Sequence, residues 1–513
     1  MNNERYKFSE YINGFQETRW ATPDEIKSSS TKVYFKEEPY QGSGLPLIGN
    51  AKRAYIDNSD THSLILGSTG SKKTRLFCMP TIHTMIGAGE SFVVTDPKGE
   101  IFDMTSGRAQ KLGYNVVLLN FRDFSVGDMW NPLEEPAKLY KSGKIDEATA
   151  MLNDFVESIS TEAATRANDV FWVNSARMLA LSVLLVMMES CHFDEINMKT
   201  FSQMCVEFGK VEDQLANKAL EIPEEEWERN YLDELMKIIP SESLAALNYF
   251  AIARSHEKTR ADMQSSLFAF VKPFLLQNKL IRNLSESTFD IRNIGKEKTA
   301  VYIIVPDERS TYHFIVTSFV KQCYELLIEE AQKNKIKKLP IRVNFVLDEF
   351  SNTPPISDMP SMITAARSRN IRFFLVIQSM HQLEKRYGQD AETIKGNCEN
   401  WVFLASKELK LLEELSQLCG NIRNYEPQET IRPLITISEL QKLNKEHGEA
   451  LVFYSRHYPF ITNLPDIENY MFDRYLPAEI NNISNKKISH VSPEKLFNLI
   501  NNGNRPIPFS DLI

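Results

Sequence analysis

The segment Gly67-Ser68-Thr69-Gly70-Ser71-Lys72-Lys73-Thr74 combines the residue types that can hold a phosphate chain. Glycines let the backbone wrap closely around an anion, loop N–H groups point inward, and the start of a following helix adds partial positive charge. In such a loop the lysine, here Lys73, reaches the β- and γ-phosphates, and the next hydroxyl, Thr74, sits on Mg2+. The usual pattern has glycine directly before that lysine, whereas this chain has Lys72. A lysine there strains the loop, crowds the nucleotide, or adds a charge that phosphate tolerates, and the residue types leave the three open. A glycine- and serine-containing turn without any ligand has the same composition, so the loop alone decides little.

A second constellation lies far downstream. VNFVLDEF, residues 343–350, is an apolar run ending in Asp348–Glu349. Paired carboxylates at the end of a buried strand are costly unless a ligand or partner meets them. In phosphate-loop ATPases the first acid orients Mg2+ and the second polarises the attacking water as general base. The next apolar run, IRFFLVIQS at 371–379, ends in Gln378, whose amide can contact a γ-phosphate or the attacking water or be an ordinary strand-end polar group. Between the two runs lie Arg367 and Arg369. Either can form a local salt bridge, the commoner role, or serve as an arginine finger across a subunit boundary. TDPKGE at 95–100 places Asp96 and Lys98 at another run's end, where they can face the same crevice or simply form a turn.

These residues need strands and helices to carry them. SFVVTD (91–96) and NVVLLN (115–120) have the length of inner strands in a parallel sheet covered on both faces, HSLILG (62–67) reads as a short buried strand running into the glycine loop, and AVYIIVP (300–306), WVFLA (401–405) and ALVFY (450–454) are strand-like runs in which the sheet resumes. Residues 75–88 read as a helix after the phosphate loop. From about 135 to 285 strand-like runs almost vanish, and helical spacing dominates in EATAMLNDFVESI and VNSARMLALSVLLVMME. The expected fold class is α/β, with a nucleotide-binding domain at 46–135 and 286–480 and an inserted all-α domain at 136–285. Residues 1–45 read as a polar entry segment, and 481–513, opening on NNISNKK, as linker and tail.

The chain of 513 residues is long enough for two or three domains. Its composition is that of a globular protein, 42% hydrophobic and 25% charged. The net charge of −9 argues against tight DNA binding by a monomer and leaves contact to local patches in an oligomer. Six scattered cysteines without a CxxC pair argue against a zinc site or disulfide framework and fit a reducing compartment. The start is polar, with no signal peptide, and the longest apolar run, Met178 to Met188, is well short of the roughly 20 residues a bilayer needs, so a buried helix is expected.

LILGSTGSKKTR, VVTDPKGE, FVLDEFSNTPPISDMPSMITAARSRNIRFFLVIQSMHQLEKRYG and RPLITISEL, with the early GFQETRWATPDEIK, together resemble type IV coupling proteins. These are the TraG/TraD-like members of the FtsK–HerA superfamily, and the Gram-positive conjugative-element versions look closest. The resemblance runs in order from about residue 12 to 460. It implies a RecA-like phosphate-loop domain, ATP and Mg2+ as cofactors, Lys73 and Thr74 as phosphate and metal contacts, and Asp348 as the metal-orienting acid. It further implies Glu349 as base, Gln378 as sensor, Arg367 rather than Arg369 as finger, and a helical insertion that selects cargo. Phe171 and Trp172, in a DVFW stretch typical of that insertion, are expected in its core.

The implied partners are DNA, a relaxase–DNA complex or effector protein, the secretion channel and membrane-anchor subunits, in a homo-hexamer at the cytoplasmic face of the membrane. The family's N-terminal membrane helices are not in this sequence: they lie on another chain, the protein is a soluble relative, or the sequence was trimmed. Three functions follow. One is an active DNA-transfer motor, another a non-hydrolysing adaptor with a degenerate loop, and the third a DNA-translocating ATPase outside conjugation. Only Lys72 favours the adaptor.

Overall fold

The computed structural model describes residues 18–166, 170–207, 231–424, 430–484 and 486–505. Residues 1–17 of the entry segment and 506–513 of the tail lie outside them. A small antiparallel sheet comes first, formed by β1 (Thr31–Tyr34), β2 (Leu45–Asn50) and β3 (Arg53–Asp57) in the order β1-β3-β2. The apolar runs then give β4 (Ser63–Leu66), β5 (Ser91–Thr95), β6 (Asn115–Asn120), β7 (Thr299–Ile304), β8 (Val343–Leu347), β9 (Ile371–Ile377) and β10 (Asn400–Phe403). After them come a hairpin, β11 (Asn421–Asn424) with β12 (Thr430–Pro433), and an edge pair, β13 (Glu449–Phe453) with β14 (Phe460–Asn463).

The large sheet has the order β14-β13-β10-β4-β9-β8-β5-β7-β6. From β10 to β6 every pairing is parallel, and β13 and β14 add antiparallel at one edge. Both faces are buried, which is why these strands read as continuous apolar runs. Leu64, Leu66, Phe373, Leu375 and Ile377 enter one core layer, and Ile65, Phe374 and Val376 enter the other. The second layer also holds Ile82, Met85 and Ile86 of the helix that follows the glycine loop and the inward residues of the small sheet.

Between β6 and β7 the described chain is helical, including Ile145–Arg166, Val170–Ser190 and Glu257–Leu276. These helices share a continuous core with the first sheet layer and the His313–Lys333 helix. Val170–Ser190 is longer than the apolar run suggested and is apolar enough to cross a bilayer, yet the apolar window is 67% buried inside the protein. Phe171 departs from the core expectation. It stands 53% exposed in the first turn of that helix, its ring edge-on to Trp172, and Trp172 packs on the core. Neighbouring residues on a helix point about 100° apart, so the two rings cannot share one buried face.

The described part of the C-terminal segment is tied down at successive points. Gly107 allows it to pass, since a Cβ there would lie 1.8 Å from the Leu476 carbonyl oxygen. Asn482 then bridges to Val126, and Arg282 donates to the carbonyls of Ser484 and Lys486 at 2.8 and 2.7 Å. Helix Pro493–Asn501 buries Leu496, Phe497 and Ile500, and Arg505 closes the segment on Glu195 at 2.7 Å. All six cysteines are buried and free.

Two buried polar groups set the strands in place. His62 donates from Nε2 to the Ile363 carbonyl at 2.8 Å and accepts at Nδ1 from the Phe373 N–H at 3.0 Å, which joins the approach to β4 to β9. Burial pushes its pKa down to about 4, so the ring is neutral, as this bonding requires. Arg372, with 1% of its side chain exposed, bonds Glu90 Oε2 at 3.0 Å, Asn344 Oδ1 at 2.8 Å and the carbonyls of Ser43 and Ser59 at 3.0 Å. It thereby joins three strands and the small sheet's linker at the edge opposite the glycine loop. Removing one partner from such a pair strands the other charge. Arg372→Met is expected to lower the unfolding free energy by about 3 kcal/mol or more in denaturant titration; an unchanged midpoint would contradict this anchoring role.

Candidate functional site

Parallel strands deliver their carboxyl ends to one edge of the sheet, and the singled-out residues collect there from β4, β8 and β9. The loop leaving β4 is stitched at its mouth by two backbone bonds, Gly67 N–H to the Ile377 carbonyl (3.2 Å) and Ser68 N–H to the Ala405 carbonyl (2.7 Å). Gly67 must be small, because a Cβ would lie 2.4 Å from Ser71 Oγ. Gly70 turns at φ +75, in the left-handed region. Lys72 takes φ 66, the conformation that glycine accepts most readily at this place, so the loop keeps its path at the expense of backbone strain. Helical structure starts at Thr74 with a π-type turn to Cys78 and continues as α-helix to Ala88.

Lys73 is only 6% exposed and folds back on the loop, donating to the Gly67 carbonyl at 2.5 Å. Thr74 Oγ1 donates to Asp348 Oδ2 at 3.0 Å. Asp348, at the end of β8 and 7% exposed, also accepts from the Glu349 N–H at 3.0 Å. Glu349 is left-handed at φ 56, which turns its carboxylate toward β9. There Gln378 Nε2 donates to Glu349 Oε2 at 2.6 Å, and Asn352 Nδ2 donates to the same oxygen at 2.9 Å. Thr69 Oγ1 donates to Gln378 Oε1 at 2.8 Å, closing a chain from the glycine loop through Gln378 to Glu349. Sequence reasoning missed this role of Thr69 and missed Asn352 altogether. Thr69 was one of several loop hydroxyls, and Asn352, though inside a motif that carries the family resemblance, was not singled out because a polar residue just after the acidic pair has no role fixed by its type.

The other candidates separate. Asp96 is buried and committed to a helix start, its carboxylate accepting from the N–H groups of Gly99 (2.9 Å) and Phe102 (2.8 Å). Lys98 is exposed in the turn. Arg367 lies before β9, at the other end of the strand from Gln378, about 23 Å away by strand rise. It pairs with Glu399 at 2.6 Å on the surface. Arg367 and Arg369 therefore do not reach this chain's own loop, and any finger role must be played toward a neighbouring subunit.

Electrostatics favour a cation among the acids. Burial, and then the Glu349 carboxylate, push Asp348 up to about 6, against the Thr74 bond and the Lys73 charge. Burial raises Asp96 to about 7, with Asp348 adding to it. Among the described residues no cluster of three metal-ligating side chains exists. One carboxylate and one hydroxyl suit Mg2+, which keeps waters and binds largely through substrate phosphates. Ser71 Oγ is buried in the loop without a hydrogen-bond partner, an unsatisfied polar group that a bound phosphate could satisfy.

The raised Asp348 sets a pH dependence. Its folded pKa lies above the unfolded value near 3.9, so folding favours the protonated acid. The resulting penalty is absent below about pH 4, grows through pH 6, and reaches on the order of 3 kcal/mol above it. Asp348→Asn should therefore nearly match the wild type in metal-free denaturation near pH 3.5 and exceed it increasingly up to pH 7. A stability difference that does not change with pH would refute the buried-carboxylate account.

Residues 19–453 match the family model described as Type IV secretory system Conjugative DNA transfer. Conjugal transfer protein TraG of Escherichia coli is 23% identical over 474 residues, 86% of this chain and 70% of that protein. Protein VirD4 of Rhizobium radiobacter is 23% identical over 384 residues, 72% of this chain and 49% of that protein. Among solved structures, the bacterial conjugative coupling protein TrwBdeltaN70 superposes with TM-score 0.61 at 13% identity, covering 90% of this chain and 94% of that one. The plasmid coupling protein TrwB in complex with ADP and Mg2+ gives 0.60 at 14% identity, covering 93% and 96%. At these identities the structural likeness is one of fold: an α/β phosphate-loop domain with a helical insertion.

Proposed function

This chain belongs to the type IV secretory system conjugative DNA transfer family, and from that premise we propose that it is the coupling ATPase that engages cargo and drives its transfer by ATP hydrolysis. The observation that carries this reading is the meeting of Lys73, Thr74–Asp348 and Glu349–Gln378–Thr69 at one sheet edge, drawn from three strands. That TrwB, a coupling protein of the same fold, is solved in complex with ADP and Mg2+ and with an ATP analogue supports a nucleotide-binding reading of this fold.

In this reading Lys73 exchanges the Gly67 carbonyl for the phosphates, and Ser71 and the loop N–H groups complete the cradle. Thr74 and Asp348 hold the Mg2+ side. Bound Mg2+ supplies charge neutralisation of the phosphates. Glu349, held by Gln378 and Asn352, accepts the proton of the attacking water. The Thr69–Gln378 bond makes the base sensitive to what occupies the loop. Arg367 acts toward a neighbour, which calls for a ring, taken here as a homo-hexamer. The helical insertion meets the relaxase–DNA complex or effector, DNA binds through the assembled ring, and channel and membrane-anchor subunits place the protein at the cytoplasmic side of the membrane. Membership of a conjugative transfer family disfavours a DNA pump outside conjugation.

The non-hydrolysing adaptor remains a second reading because of one observation, Lys72 at a strained glycine position. Steady-state ATP hydrolysis with and without DNA separates the two. DNA-stimulated turnover that falls roughly 100-fold or more in Glu349→Gln is the expected result, and the stimulation should weaken steeply with salt. No turnover in the wild type under any DNA condition, with turnover appearing in Lys72→Gly, would establish the adaptor instead.

A further inference from the structure

Strand β13, next to the edge strand β14, runs antiparallel to β10, so its beginning, not its end, arrives at the end of the sheet where the phosphate loop sits. The turn that precedes it, Lys445–His447, lies against the loop. Glu446 Oε2 is 2.5 Å from Lys72 Nζ, and Lys445 Nζ donates to the Gly70 carbonyl at 3.1 Å. The turn is itself held. Asn444 Oδ1 accepts from the N–H groups of Glu446 (2.9 Å) and His447 (3.4 Å), and the Glu449 carboxylate accepts from the Asn444 N–H at 2.8 Å. Gly448 turns at φ +67 and presses on β14's exit, where a Cβ would lie 1.9 Å from the Leu464 carbonyl oxygen. Just past that exit Asp466 holds Arg75, the second residue of the loop's own helix, through Nε at 3.0 and 3.1 Å, and Glu468 adds a contact at 2.8 Å. The phosphate loop is thus fastened to the edge hairpin at Gly70, Lys72 and Arg75.

A side-chain-bearing residue stays left-handed only where its surroundings over-determine it. Lys72 is held at two points: its carbonyl accepts from the Leu76 N–H at 2.9 Å in the helix that follows, and its ammonium is drawn outward to Glu446, the only one of the two that acts on the side chain. A loose lysine at this position could leave the left-handed region and turn the neighbouring N–H groups out of the cradle. We infer that Glu446 is a positioning residue for the phosphate loop, clamping Lys72 in the conformation that glycine would adopt unaided and keeping its charge on the rim. The inference rests on the reading of the loop as a nucleotide site.

The test is a double-mutant cycle read by binding of a fluorescent ATP analogue with Mg2+ to the full chain, in the wild type, Glu446→Gln, Lys72→Gly and the double variant. Glu446→Gln should weaken binding about fivefold at low salt, and the loss should shrink at 0.5 M salt as the exposed pair is screened. It should raise KM for ATP while leaving kcat nearly unchanged, since the clamp shapes the cradle and touches no reacting atom. In the Lys72→Gly background the same substitution should have no effect, and Lys72→Gly, which needs no clamp, should bind more tightly than Glu446→Gln. Equal weakening in both backgrounds would mean that the turn merely supports the edge hairpin, and would overturn the inference. Tighter binding by Glu446→Gln would do so too, because Lys72 would then be a phosphate ligand that Glu446 withholds. Wild-type binding in all four proteins would also overturn it, leaving the nucleotide site intact. Binding in none would remove the nucleotide-site reading and the clamp with it.

Discussion

Leu66 stands opposite Ile377 where β4 pairs with β9, and Leu347 stands opposite Leu375 where β8 pairs with β9. These parallel registers decide what meets at the sheet edge. Gly67 and Gln378 leave adjacent strands at the same level, and Asp348 leaves the next strand two positions lower. Side chains alternate along a strand, so a slip of one residue would exchange the two core layers and turn Gln378 away from the loop. Parallel pairing is slightly weaker per residue than antiparallel pairing and must be held by burial on both faces. Here that burial comes from the helical insertion on one side and from the small sheet and its neighbouring helices on the other. His62 and Arg372 add directional polar anchors that hydrophobic burial alone does not supply.

The site lives under a tension that this burial creates. Asp348 and Asp96 approach one another inside a water-poor edge, and both are pushed toward the protonated form. Lys73 and the Thr74 hydroxyl partly offset the cost for Asp348, while two helix-start N–H groups do so for Asp96. The difference in partners separates their roles. Asp96 is satisfied within the backbone. Asp348 keeps an incomplete shell beside a hydroxyl and a buried lysine, the arrangement in which a divalent cation with phosphates stabilises more than it costs.

The sheet edge also reaches outward. The antiparallel hairpin β13–β14 returns chain to the edge where the phosphate loop sits and lays acidic and basic groups against it. The described C-terminal segment crosses the helix Glu100–Lys111 and docks on the helical insertion through Arg282, helix Pro493–Asn501 and the Arg505–Glu195 pair. The segment that reads as an asparagine-rich linker is therefore a strap over two parts of the fold. Its polar side chains gave no hint of this, because it is held mostly through its backbone carbonyls, which every sequence possesses.

The amino-acid sequence by itself determined the apolar runs that became the parallel strands, the helical stretch between β6 and β7, the glycine loop and the Asp348–Glu349 pair. All of these depend on local composition and spacing, and so does the family resemblance that motif order carried. It also flagged Lys72, because one residue broke a local pattern. Tertiary structure alone decided that Thr69 is tied to Gln378, that Asn352 belongs to the site, that Asp96 is spent on a helix start, that Arg367 points away from its own loop, and that Glu446 meets Lys72 across 374 residues of chain. Short edge strands such as β14 and the β11–β12 hairpin also stayed hidden, since they bury little and carry weak periodicity. The reason is common to all of them. Residue type and spacing report which groups a stretch of chain can bury or bond, whereas the choice of partner depends on strand order and direction, which only long-range packing selects.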